Sequence, residues 1–147
     1  MVSIIGRINR SVLRDNEVHA IGLLRVGILT AEEEATLIGG GRVDLLASKK
    51  CTIASSHKPL ILGNVYCGSI VAIGSKNPVV IGYLRASKVY ARKTYIGKLH
   101  TSEAVLSELC IVDELEYAEK LLFVDPHMYI RKIGEAKNID YAYNPYP

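Results

Sequence analysis

The sequence contains no tryptophan and no glutamine, and it has one phenylalanine among 147 residues. A core with so few large aromatic side chains must be filled by Leu, Ile, Val, Ala and Tyr. Apolar residues make up 49% of the chain and charged residues 22%, a balance typical of a folded domain rather than a disordered chain. The lack of glutamine is a weak indication of a thermophilic organism, since thermolabile amides are depleted in the proteins of such organisms.

Other absences argue against whole classes of protein. The formal net charge of +3 is too small to predict nucleic-acid binding. No apolar run approaches the roughly 18 residues that cross a membrane, and the start MVSIIGRINRSVL is too interrupted for a secretory signal. Cys51, Cys67 and Cys110 form no Cys-x-x-Cys pair, so we expect free, buried thiols and a cytoplasmic location.

A repeat runs through most of the chain. Each unit contains a short strand-like piece with alternating β-branched residues, such as IVAI or ATLI. A phrase of small or turn-tolerant residues comes before that piece, for example LTAEE, LLASK, LRASK or LHTSE. A glycine precedes most units. The apolar anchors of these units are spaced 15 to 20 residues apart, at Leu13, Leu29, Leu45, Val65, Leu84, Leu99 and Leu115. Such units bury an apolar face only when they are stacked about 4.8 Å apart.

The repeat predicts an all-β, single-domain parallel β-solenoid (β-helix) of about seven coils over residues 13–124. Residues 1–12 form an N-terminal tail or cap, and residues 125–147 a C-terminal cap with a Tyr/Pro-rich tail. Loop residues at 55–59 and 75–78 take up the longer spacings, and the triple glycine at 39–41 marks a corner. Thr30 and Glu33 could instead form a capping box that opens a short helix, but the column match favours strand, corner and strand.

Charged residues one unit apart have opposite signs in three consecutive units. In a stacked solenoid, such residues lie above one another and stabilise the sheet by about 0.2–1 kcal/mol per pair. The predicted inter-coil pairs are Lys88 with Glu103, Lys93 with Glu108, and Lys98 with Glu114. The basic run that contains these lysines is thus interpreted as an outer wall of the solenoid rather than a site for a polyanion.

The phrases GYLRASKVYARKTYIGKLHTSEAVLSE and GRVDLLASK resemble the bactofilin family of polymer-forming cytoskeletal proteins, and the match runs from about Leu13 to Val124. The resemblance implies a compact β-helix that assembles into filaments without nucleotide through its two ends, with flexible tails and sometimes an N-terminal membrane contact. It also implies an end-to-end contact at an apolar end coil with a phenylalanine, which is Phe123 here. The chain is then its own partner, and no cofactor is needed.

The two ends of the repeat are the candidate functional surfaces, because end coils expose unpaired strand edges. Leu121, Leu122, Phe123 and Val124 form the predicted last strand and assembly contact; alternatively, residues 127–139 fold over Phe123 as a lid. At the other end, Arg7, Arg10 and Arg14 alternate with apolar residues. They form either a capping coil, which Gly6 favours, or a helix with weak affinity for an anionic membrane surface.

Enzymatic readings have little support. A hexapeptide β-helix acyltransferase needs an apolar residue at every sixth position and a general-base histidine, and the six-residue period fails at Arg85. We expect His100 to be a solvated residue and His19 a partly buried structural one. No two histidines have a metal-ligand spacing, and no phosphate loop is present. The remaining alternative to a self-assembling, non-enzymatic scaffold is a β-helix subunit that binds a partner in a larger complex, for example a redox complex.

Overall fold

The computed structural model describes residues 1–143, and within them every regular element is a β-strand. The strands are β1 (Val2–Ile73), β2 (Val79–Arg92), β3 (Thr94–Leu106), β4 (Ile111–Phe123) and β5 (Tyr129–Tyr141). They pair in parallel in the order β1-β2-β3-β4-β5 within one sheet. The predicted all-β parallel solenoid is therefore confirmed, and residues 30–37 are strand rather than helix.

The number of units differs from the prediction. Five strands take the place of the predicted seven coils in residues 1–143, although β1 alone holds several stacked turns. The difference arises because β1 continues without interruption for 72 residues. Along β1 the backbone stacks on itself: a Cβ on Gly22 would meet the Gly6 carbonyl oxygen, and a Cβ on Gly39 would meet that of Gly22.

Buried apolar residues form columns that run through the solenoid. One column joins Val65, Leu84, Leu99 and Leu115 by direct pairing, and each of these side chains is fully buried. The predicted anchor Leu45 is wrong by one position, because Leu46 is the fully buried residue. Gly63 approaches the Asp44 carbonyl, so the offset here is 19 residues and aligns Leu46 with Val65.

A register shift lies between Leu99 and His100. It pairs Thr101 with Ala118 and places Tyr117 opposite His100. Both Thr101 and Ala118 are buried. Because β4 has one additional residue at this point, Glu116, a small side chain still occupies the inward position that follows Leu99 and Leu115.

The prediction of three free thiols is wrong for two of the cysteines. Cys51 and Cys67 form a disulfide across 16 residues, with Cα atoms 6.4 Å apart, a separation within the usual range. Stacking brings the two residues together although they form no short motif in the sequence. Cys110 is free and buried within the described chain, and desolvation raises the pKa of its thiol.

The segments at both ends of the predicted domain are strands. Residues 2–12 belong to β1, Ile8 is buried, and Val2 and Ile4 pack against the core. Residues 55–59 also continue β1, whereas 74–78 form the predicted loop. The C-terminal region predicted over 125–147 contains β5, and its last four residues, 144–147, lie outside the part that the structure describes.

Candidate assembly surface

Strand β5, which we call the C-terminal layer, is the outermost layer at one end of the solenoid. Its register on β4 carries the core columns one step further. Each inward position is again apolar. The inward residues are Ile130, Ile133, Ala136, Ile139 and Tyr141, paired with Val112, Leu115, Ala118, Leu121 and Phe123 respectively.

The apolar columns are open at this layer. Leu115 and Leu121 are at most 1% exposed, whereas Ile133 is 50% exposed and Ile139 is 36% exposed. In residues 1–143, β5 pairs with β4 alone, so its other edge presents unpaired backbone N–H and C=O groups. An unpaired strand edge with apolar side chains beside it is a template for another strand.

The predicted end contact at Leu121, Leu122, Phe123 and Val124 is not at the end of the structure. Leu121 pairs with Ile139, Leu122 with Asp140, and Phe123 with Tyr141. Leu121 and Phe123 are buried, and Val124 remains 40% exposed. These residues are not the last strand, because β5 lies over them. The alternative, a segment at 127–139 that covers Phe123, is the closer description, and the cover is a further parallel layer of the sheet. The surface that Phe123 was expected to form is therefore one layer further on.

The other end of the solenoid has a different character. Residues 2–17, which we call the N-terminal layer, stack on residues 18–33 with an offset of about 16, as the approach of Gly22 to the Gly6 carbonyl and of Gly27 to the Ser11 carbonyl shows. The buried residues Val26 and Ala31 thus lie over Arg10 and Asp15. Two inward columns begin with charged residues here, whereas Val2, Ile4, Ile8 and Leu13 of the same layer are apolar. The Asp15 carboxylate lies 3.4 Å from the Met1 ammonium.

The N-terminal arginines are exposed side chains on a strand. Arg7, Arg10 and Arg14 are all exposed, and Arg14 Nε donates a hydrogen bond to Thr30 Oγ1 at 3.2 Å. They do not form one face of a helix, because this segment is part of β1. Residues 1–143 contain no helix that is long and apolar enough to cross a membrane. Contact between these arginines and lipid stays a prediction.

One predicted inter-coil ion pair is formed. Lys98 pairs with Glu114 in the register, and its Nζ lies 3.5 Å from Glu114 Oε2. Lys88 is directly opposite Glu103, but the ion pair of Glu103 is with Lys120, at 4.0 Å. Opposite charges therefore do lie in neighbouring layers, but Glu103 forms its ion pair with Lys120 of the following strand rather than with Lys88 of the preceding one.

The third predicted pair, Lys93 with Glu108, has a different partner. Arg92 Nε donates a hydrogen bond to a Glu108 carboxylate oxygen at 2.8 Å. Lys93 has a positive φ of 49° at a corner, and it contacts Glu108 through its backbone N–H, at 2.9 Å from the Glu108 carbonyl oxygen. The tight corner turns the neighbouring arginine toward the carboxylate.

Ion pairs also join β5 to β4. Arg131 Nε donates to Asp113 Oδ1 at 2.5 Å, and Lys132 Nζ lies 3.7 Å from Glu114 Oε1. The hydrogen bond from Arg131 lowers the pKa of the Asp113 carboxyl and raises that of the guanidinium. These contacts hold the C-terminal layer in register with β4 at its outer face.

The two histidines considered in the sequence analysis have different surroundings. His100 stacks on Tyr117 with ring centroids 5.1 Å apart, and its Nδ1 lies 3.6 Å from Glu116 Oε1. His19 is half-buried, and its Nε2 has no hydrogen-bond partner in the described chain. Residues 1–143 contain no cluster of three His, Cys, Asp or Glu side chains able to hold a metal ion.

A second exposed apolar feature, the lateral ladder, runs along one side wall. It consists of outward residues that pair from layer to layer: Ile61, Val80, Tyr95, Ile111 and Tyr129. Four of them are at least 37% exposed. A groove of about 400 Å³ opens beside its last three members.

The sequence reasoning missed the residues of the C-terminal layer. Their signal was present, because Ile130, Ile133, Ala136 and Ile139 repeat the spacing of the β4 core residues 18 positions earlier. The predicted solenoid ends instead at Val124, directly before Asp125 and Pro126.

The described chain is a parallel β-solenoid whose C-terminal layer leaves two apolar columns open. We found no family model that matches the chain, and neither a curated protein nor a solved structure matches it. What the protein does must therefore be inferred from these surfaces.

Proposed function

We propose that the protein is a self-assembling structural scaffold of the kind that the resemblance to bactofilins implies. Copies join without nucleotide through an end of the β-solenoid, and the C-terminal layer is the contact surface. The protein has no catalytic role in this proposal. Its partner is another copy of the same chain.

The observation that carries the proposal is the open core at β5. Ile133 and Ile139 end two columns whose preceding members are fully buried. Burying apolar surface stabilises a contact by about 25 cal/mol per Å², and a paired layer also satisfies the free backbone groups of the edge. Terminal units of repeat proteins need a polar outer face to stay separate, and this layer is apolar at its inward positions.

Sedimentation velocity of the full chain, together with negative-stain electron microscopy, tests the proposal. We expect oligomers whose fraction rises with protein concentration, and we expect Ile133→Glu to leave monomers, because it places a charge in the contact. Val71→Glu is the matched control, since Val71 is an exposed residue of β1 far from the C-terminal layer. A wild-type chain that stays monomeric at every concentration would contradict self-assembly.

The lateral ladder favours a second candidate, a β-helix subunit that binds a partner in a larger complex. Tyr95, Ile111 and Tyr129 expose 44%, 38% and 59% of their surfaces, and an exposed apolar strip of this kind marks a binding surface. This candidate predicts a monomer whose binding of a hydrophobic dye falls in Ile111→Glu. Concentration-dependent oligomers that persist in Ile111→Glu would favour the scaffold instead.

A further inference from the structure

We propose that copies of the chain join head to tail, with the C-terminal layer of one copy seated on the N-terminal layer of the next. This inference rests on the proposed self-assembly through β5. It adds which surface receives the C-terminal layer, the direction in which the assembly grows, and the charged pair that selects this direction.

Three inward columns of the solenoid have apolar residues at both of their ends. Followed from layer to layer, the columns that begin at Val2, Ile4 and Leu13 end at Ile139, Tyr141 and Ile133 respectively. A head-to-tail junction would therefore continue three apolar columns from one copy to the next. It would also bury the side chains of Ile133 and Ile139, which β5 leaves exposed.

The backbone of both end layers is open on the side that such a junction uses. A Cβ on Gly22 would meet the Gly6 carbonyl of the preceding layer, whereas a Cβ on Gly6 would meet no described atom within 4 Å. At the other end, β5 pairs with β4 alone in residues 1–143. Because the strands of the solenoid are parallel, a head-to-tail junction extends the same parallel sheet and pairs the free N–H and C=O groups of both edges.

The free charges of the two layers are complementary. Within residues 1–143, no ion pair is formed by the three arginines of the N-terminal layer, Arg7, Arg10 and Arg14. The carboxylates of Glu135 and Asp140 in the C-terminal layer form none there either. The outward column that begins at Arg14 ends at Glu135. A head-to-tail junction therefore places the Glu135 carboxylate of one copy over the Arg14 guanidinium of the next.

The other two end-to-end junctions bring like charges together. Residues 111–143 carry seven Asp or Glu side chains against four Lys or Arg side chains, a formal charge of −3, and a junction of two C-terminal ends brings two such surfaces together. A junction of two N-terminal layers brings together the three arginines of each copy. Like charges that face each other across an interface are unfavourable, and this difference selects the head-to-tail contact.

Two charged residues of the N-terminal layer lie in inward columns and are compatible with this contact. The column of Asp15 ends at Ala136, a small residue, and the Asp15 carboxylate already lies 3.4 Å from the Met1 ammonium. The column of Arg10 ends at Ile130. Arg10 is exposed, so its aliphatic stem can pack on Ile130 of the neighbouring copy while its guanidinium reaches the solvent.

Charge reversal at Arg14 and Glu135 tests the direction of assembly. In sedimentation velocity, Arg14→Glu and Glu135→Arg should each raise the apparent dissociation constant by about tenfold, because each places like charges at the junction. The double variant Arg14→Glu/Glu135→Arg should recover the assembly of the wild type, because it restores an opposite pair between copies. Arg85→Glu is the matched control and should leave assembly unchanged, since Arg85 is an exposed residue of the same column in an interior layer.

The outcomes separate this inference from the proposed self-assembly. A junction of two C-terminal layers does not contain Arg14, so wild-type assembly in Arg14→Glu would overturn the head-to-tail contact. A double variant that stays as weak as Glu135→Arg would overturn it as well. Both results would leave the proposed self-assembly through β5 intact. A monomeric wild type would overturn both.

Circular dichroism and thermal unfolding establish that each variant is folded. Where a charge reversal unfolds the chain, Arg14→Gln, Glu135→Gln and their double variant are measured in its place. Each single variant should weaken assembly, and the double variant should be no weaker than either single one, because the two residues act as a pair. Additive losses in the double variant would overturn the contact between Arg14 and Glu135.

Discussion

The ring of Tyr141 lies edge-on to the ring of Phe123, with centroids 5.2 Å apart and planes at 67°. Tyr143 continues the contact, with its ring edge-on to Tyr141 at 5.6 Å. This aromatic arrangement covers the single phenylalanine of the chain with β5 and so moves the open end of the core from β4 to the C-terminal layer.

Replacing Tyr141 with Ala should destabilise the protein by about 1–2 kcal/mol, because an aromatic pair and part of the cover over Phe123 are lost. Urea unfolding measures the change. Tyr129→Ala is the matched control from the same strand, since Tyr129 is an outward residue that is 59% exposed. Equal losses in the two variants would argue against a specific role for the Tyr141 contact.

Replacing Gly22 with Ala should be more harmful than replacing Gly6. Both glycines have positive φ, 136° and 118°, and a non-glycine residue in such a conformation costs about 1–3 kcal/mol. At Gly22 the new Cβ would also lie 1.9 Å from the Gly6 carbonyl oxygen, whereas at Gly6 no described atom is within 4 Å. We therefore expect Gly6→Ala to fold with reduced stability and Gly22→Ala to lose most folded protein, as measured by circular dichroism. A Gly22→Ala protein as stable as Gly6→Ala would contradict the close stacking of these layers.

Thiol titration should detect the disulfide between Cys51 and Cys67. Unfolded, unreduced protein should show one thiol per chain, that of Cys110. Reduction should expose the other two and lower stability by about 3 kcal/mol, as expected for a closed loop of about 15 residues. In the native protein, Cys110 should react slowly, because it is buried and its thiol pKa is raised. Three thiols without reduction would rule out the bridge.

The contact between Arg131 and Asp113 should weaken in acid. Because Arg131 lowers the pKa of the folded Asp113 carboxyl, its contribution to stability is present above the ordinary aspartate pKa and is lost as the pH falls through the lowered value. The difference in stability between the wild type and Arg131→Ala should therefore shrink in acid. NMR titration should show the Asp113 pKa rise in Arg131→Ala and stay the same in Lys132→Ala, the neighbouring control. An Asp113 pKa that is unmoved in Arg131→Ala would contradict this account.

The sequence predicted the solenoid because stacking imposes two visible constraints, alternation along each strand and small residues at each corner. The anchor was predicted at Leu45 rather than at Leu46 because the offset between layers depends on the length of the corner, and the two leucines are equally apolar. The disulfide was missed because Cys51 and Cys67 become neighbours only through the offset of particular layers.

The last layer was missed for a different reason. Pro126 suggested an end to the repeat, but it lies in the connection between β4 and β5, where a missing backbone N–H disrupts no strand pairing. In β5, charged residues separate the apolar ones, so the segment has the composition of a surface tail. Only the pairing with β4 identifies Ile133 and Ile139 as ends of the core columns.

The strand order has a consequence for how the molecule comes apart. Each strand from β2 onward pairs only with its neighbours in sequence within the described chain, so unfolding can begin at an end and proceed layer by layer. A contact that covers β5 would close one of these starting points. Resistance to proteolysis at the C-terminal end should then increase with protein concentration, which links the lifetime of the folded chain to the amount of protein present.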